Sequence, residues 1–209
     1  MVADETAGPN GAAPTATAPS TVRRLDGAEA AVLAGQAAVF EDLQYVLRCC
    51  EHLVGVLGSG EPDPALVEAL WTGALVGYVR CFSARAAVLT DADVNELGLD
   101  GDVGDFHSMV KKLRDHYASR HVNPREAFTI GAAQANDGRP TGVAVVSTPR
   151  PLVDDVTVRL LGRVAYALSG LLDKRMQQSQ EGVLAAAGKM SPGELSRLPL
   201  LHLSGAPTG

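Results

Sequence analysis

The sequence predicts a mainly α fold, a four-helix bundle with a β-hairpin inserted before the last long helix. Three observations predict it. Apolar residues recur at steps of three and four over four long stretches. One pair of short alternating runs flanks an Asp-Gly step. Aromatic residues are only 4% of a chain that is 46% apolar, so the core is built of small aliphatics, which suits closely packed helices.

Residues 1–26 are rich in Ala, Pro and Thr and carry almost nothing large to bury. They are expected to be a disordered tail. From Gly27 to Leu57 the positions Val39, Leu43, Val46, Cys50, Leu53 and Leu57 mark one face of a helix. The run GSGEP at 58–62 breaks it. Asp63-Pro64 supplies an N-cap and a first-turn proline for a second helix reaching about Arg85. That helix carries two stripes, Leu66, Leu70, Gly73, Gly77 and Cys81 beside Val67, Trp71, Ala74, Tyr78 and Phe82. A helix apolar on two sides is expected to be central, or to cover both core and partner.

Residues 86–104 read as a connector with a short helix near TDADVNEL. Its aspartates do not have the spacing of a calcium loop, and helix capping accounts for them better. A third helix is expected from Asp105 to His121, with a core stripe of Phe106, Val110, Leu113 and Tyr117. AFTIGAAQA and TGVAVVST then form the hairpin, with Phe128, Ile130, Ala132, Val143 and Val145 on one side. A fourth long helix is expected over 153–187, buried through Val156, Leu160, Val164, Ala167 and Leu171. Residues 188–209 form a C-terminal tail in which SPGELSRL adds a short turn of helix. The domain expected is therefore 27–187.

The net charge of -6 argues against a broad basic face for duplex binding. Three cysteines without C-x-x-C spacing are neither a zinc site nor a disulfide framework. They are expected to be small buried residues in a reducing compartment. The N-terminus has no apolar signal region, and no run approaches the roughly 18 apolar residues of a membrane span. A cytoplasmic protein without membrane contact is expected. No phosphate loop, H-E-x-x-H pair or G-x-S-x-G elbow is present. No metal site, covalent nucleophile or cofactor is expected.

The chemistry concentrates in DFHSMVKKLRDHYASRHVNPRE, residues 105–126, which hold three of the five histidines. On a helix, His107, Lys111, Arg114 and His121 form a polar stripe beside the core stripe. Metal-free RNA cleavage needs a base for the 2′-OH proton, and His has the nearest natural pKa. It also needs a fixed cation for the phosphate, and Arg offers a planar fork of donors. Arg114 and His121, with six residues between, match the pattern Arg, four to six residues, His. Arg197 and His202 match it again, with Pro199 between them, and that copy carries no functional weight.

On LRDHYASRHVN, the following Glu and the hairpin, the chain resembles the HEPN family (higher eukaryotes and prokaryotes nucleotide-binding domains). The likeness is to abortive-infection and toxin-type members, over 27–187 in architecture and 113–126 in motif. The resemblance implies a helical, homodimeric domain acting on RNA as a metal-independent endoribonuclease in a defence or toxin system. It implies Arg114, Asp115 and His121 as catalytic residues, Asp115 orienting the Arg or the His. His107, Lys111 and Arg120 would bind RNA. The members it most resembles carry His one position earlier, where this chain has Arg120. The rival reading is a non-catalytic helical module that binds a cognate partner protein through its second helix and tails. On that reading the basic helix face is a solvated surface.

Overall fold

The computed structural model describes residues 21–83, 88–118 and 125–201. In chain order its elements are β1 (Val22–Arg23), α1 (Ala28–Leu57), α2 (Pro64–Arg80), α3 (Asp91–Asn95), α4 (Val103–Tyr117), β2 (Glu126–Gln134), β3 (Pro140–Pro149), α5 (Asp155–Gly188), α6 (Pro192–Arg197) and β4 (Leu200–Leu201). The fold is mainly helical with two small antiparallel sheets, β1 with β4 and β2 with β3. The chain divides into two compact units, residues 27–184 and the two ends up to 26 and from 185. No helix among the described residues is long and apolar enough to cross a membrane.

In the larger unit α2 is central. Its N-cap Asp63 accepts from the Ala65 amide at 2.9 Å, and Pro64 occupies the first turn, where a missing N–H costs nothing. Trp71, Ala74, Leu75 and Tyr78 are buried. Gly73 and Gly77 explain how α1 comes close. A Cβ on Gly77 would stand 3.1 Å from the Val46 side chain and 3.2 Å from Tyr45 Cδ1, and one on Gly73 would meet the Tyr45 hydroxyl at 2.7 Å. The glycines thus serve packing inside the chain. From α1 come Val39, Leu43, Val46, Cys49, Cys50 and Leu53, the expected stripe with Cys49 added and Leu57 only partly buried. All three cysteines are buried free thiols. Burial pushes the thiols of Cys50 and Cys81 up to about 12, so they stay protonated and inert.

The buried face of α5 differs from the expected one. Val158, Leu161, Val164, Ala165, Leu168 and Leu172 are buried, whereas Val156 is 75% exposed. Only Val164 belongs to both sets. The helix is apolar on two neighbouring faces, and periodicity alone fits either. Packing against the other helices selects the face turned by roughly a quarter of a turn.

The hairpin has the expected facing. Phe128 pairs with Ser147, Ile130 with Val145 and Ala132 with Val143, so these six share one face. Gly138 closes the turn at φ 81°, a left-handed conformation that favours glycine.

In the smaller unit, Val22–Arg23 pairs with Leu200–Leu201. Arg23 Nη1 donates to the Leu198 carbonyl at 2.9 Å. Residues 21–26, expected as part of a disordered tail, therefore carry a short ladder. Residues 1–20 lie outside the described residues. Ser191 caps α6 reciprocally with Glu194, the capping box that S-x-x-E encodes.

Candidate functional site

Helix α4 starts where Asp102 accepts from the Asp105 amide at 3.0 Å, and it carries Arg114 and His116 in its last turn. An acidic start and a basic end both complement the helix dipole. The Ala118 amide closes the helix on the Arg114 carbonyl at 3.0 Å. Phe106, His107 and Val110 are buried, with Leu113 and Tyr117 packed against the core.

The stripe expected to meet RNA therefore turns inward at its first residue. His107 is 3% exposed. Its Nδ1 lies 2.8 Å from the Tyr78 hydroxyl and its Nε2 3.0 Å from Asp91 Oδ1. The Phe82 and Tyr78 rings stand edge-on, with centroids at 4.5 Å and 5.6 Å. Burial lowers the His107 pKa against the opposing pull of Asp91. His107 and then Lys111 hold the Asp91 carboxyl below its usual range. Burial raises the Tyr78 phenol. These directions fix one consistent proton arrangement. Tyr78 O–H donates to Nδ1, and Nε2–H donates to the Asp91 carboxylate. With both ring nitrogens engaged, His107 holds α2, α3 and α4 together and leaves nothing for a phosphate.

Asp91 is the joint of this network. Lys111 Nζ reaches both its carboxylate oxygens at 3.0 Å. Asp93, two residues on, closes the α3 capping box with Thr90 and pairs with Arg175 of α5. Arg175 also donates to the Val88 carbonyl at 2.8 Å. Asp91, Asp93 and Asp102 of the connector are thus caps and ion pairs. Among the described residues no cluster of His, Cys, Asp or Glu could hold a metal ion.

The C-terminal end of α4 is different. Arg114 has a side chain 39% exposed, with Nε 3.2 Å from Asp115 Oδ1. Nε itself is buried without a well-directed hydrogen bond. Lys112 and Asp115 are exposed, and His116 is half-buried. Arg120 and His121 lie outside the described residues.

Next to this end is a cleft of about 660 Å³, lined by α2 (Val67, Glu68, Trp71), Tyr117, Arg125 and the hairpin base at Arg150. Arg125 pairs with Glu68 at 3.1 Å. Burial, and then the Glu68 charge, raise the Tyr117 phenol. Tyr117 and Arg125 bracket the stretch that carries Arg120 and His121 in sequence. Sequence reasoning missed this cleft, because its walls come from four separate segments. The available signal was the pair of prolines at 149 and 151 beside Arg150, which stops the hairpin close to α2.

No protein-family model, curated protein or solved structure matches this chain.

Proposed function

We propose that the chain is a HEPN-like helical domain, a bundle of four long helices that acts on RNA in the cytoplasm as a metal-independent endoribonuclease. One observation carries the reading. Arg114 sits on the last turn of α4 with its side chain 39% exposed and its buried Nε 3.2 Å from Asp115, one further stretch of chain ahead of Arg120 and His121. A carboxylate next to an arginine limits its rotamers, which orients the fork of donors. The neighbouring cleft adds an aromatic wall at Tyr117 and cations at Arg125 and Arg150, the side-chain types that hold single-stranded RNA.

In the proposed reaction His121 takes the proton from a 2′-OH. The 2′-oxygen attacks the adjacent phosphorus while the bond from phosphorus to the 5′-oxygen breaks. The products are a 2′,3′-cyclic phosphate and a 5′-OH, the leaving oxygen regaining a proton. Arg114 neutralises the charge that gathers on the non-bridging oxygens, and Asp115 positions Arg114. Lys111 and Arg120 supply phosphate contacts. His107 has no part in contacting RNA and keeps α4 in place.

The test is cleavage of single-stranded RNA by the purified protein in the presence of EDTA. Cyclic-phosphate ends are expected. Arg114→Ala and His121→Ala should each slow cleavage by about 10²–10⁴-fold. Cleavage that persists in both variants would overturn the reading.

A second reading is a non-catalytic interaction module, and a different observation favours it. Every residue of the hairpin from 127 to 149 is exposed, including four large apolar side chains on one face. Wild-type protein that leaves RNA intact and binds it without salt dependence would favour this second reading.

A further inference from the structure

The hairpin stands apart from the packing that organises the rest of its unit. Two strands of nine and ten residues are exposed on both faces, and an isolated two-stranded sheet is marginal in water. The two faces are not alike. One carries Phe128, Ile130, Ala132, Val143, Val145 and Ser147; the other carries Ala127, Thr129, Gly131, Ala144, Val146 and Thr148. On the first, Phe128, Ile130, Val143 and Val145 are 56%, 64%, 75% and 65% exposed.

We infer that this face is the docking surface for a second copy of the chain, two hairpins packing face to face about a two-fold axis. Three features select that occupant. From Phe128 to Ala132 and Val143 to Val145 the face carries no charge, its one carboxylate, Glu126, standing at the base of the hairpin against Ser147; a two-fold contact sets a patch against itself, so any charge near the axis would meet its like. Its area suits a pair, because the four large side chains offer on the order of 500 Å² per copy. Two copies then approach the ~1,200 Å² at which specific interfaces begin. Face-to-face packing is also favoured over pairing along the β3 edge, because Pro140 and Pro149 stand at the two ends of β3, and proline cannot extend a ladder. Two stacked hairpins about 10 Å apart would bury the large residues of both and leave the small and Thr-bearing faces in water.

Sedimentation equilibrium of the full chain, without RNA, tests this. Over about 1 to 100 µM, the span expected for an interface near the lower size limit, the wild type should pass from monomer to dimer. The dimer should persist in high salt, since the contact is apolar. Val145→Glu and Val145→Lys should each remain monomeric with an unchanged helical circular dichroism spectrum. Val146→Glu, one residue along on the opposite face, should dimerise like the wild type. A wild type that stays monomeric throughout would overturn the inference and leave the face to a different protein. So would a dimer that survives both Val145 variants, or one that Val146→Glu disrupts equally.

Discussion

The helices around α2 and the β2–β3 hairpin share a unit but are built in opposite ways. Around α2, Trp71, Tyr78, Leu43 and Leu168 are fully buried, and even the polar His107 has both ring nitrogens matched. On the hairpin, side chains as large as Phe128 and Ile130 remain more than half exposed. The difference teaches that apolar character alone does not mark a core. In the helices it is consumed within the chain, whereas in the hairpin it stays on the surface, where an apolar patch signals a partner.

Substitutions on the two sides should differ most where the contrast is greatest. Trp71→Ala should cost about 3–5 kcal/mol, because the cavity left among helices cannot fully collapse. Val143→Ser at monomer concentrations should stay within about 0.5 kcal/mol. Urea midpoints of the two variants check this, and equal losses would erase the distinction.

Tyr78→Phe sharpens the polar side of the core. It removes the donor to His107 Nδ1 and leaves a buried acceptor alone, for an expected loss of about 1–3 kcal/mol. The same network sets a pH dependence. Burial lowers the folded pKa of His107, so the unfolded chain binds the proton more readily. Its contribution is present above the unfolded value of about 6.5 and is lost as pH falls toward the folded one. Thermal melts between pH 8 and pH 5 (roughly the range around that titration) should show a decline that His107→Gln reduces.

The two glycines of α2 give the most discriminating effects. Gly77→Ala presses a methyl on the buried Val46 side chain and should destabilise by about 1–3 kcal/mol. Gly73→Ala meets only the end of Tyr45, a residue 43% exposed, which can swing aside. There the helix-propensity gain of up to ~1 kcal/mol should prevail. A gain at both positions would mean that α1 and α2 approach less closely than the glycines allow, and a loss at both that Tyr45 cannot swing aside.

Much of the fold was legible in the sequence. Asp63-Pro64 and GSGEP bounded α2 and α1, and the Asp137-Gly138 step placed the turn of the hairpin. The candidate site was less legible. His107 read as part of a polar stripe because it is charge-bearing, yet it lies one residue after Phe106 and three before Val110, within the width of a buried helix face. Its partners, Tyr78 and Asp91, are 29 and 16 residues away in sequence, and no local pattern joins them.

By itself the sequence determined which stretches are helical and where α2 begins, where the hairpin turns and the identity of its apolar face. These follow from local chemistry: caps, fixed proline geometry, a glycine at positive φ and a period of two or 3.6. Only the tertiary structure decided which of the two apolar faces of α5 is buried, that His107 turns inward while Arg114 stays at the surface, and that the hairpin's large side chains find no cover among the described residues. Those outcomes depend on which surfaces meet. Burial is a property of two surfaces together, and one stretch of sequence specifies only its own.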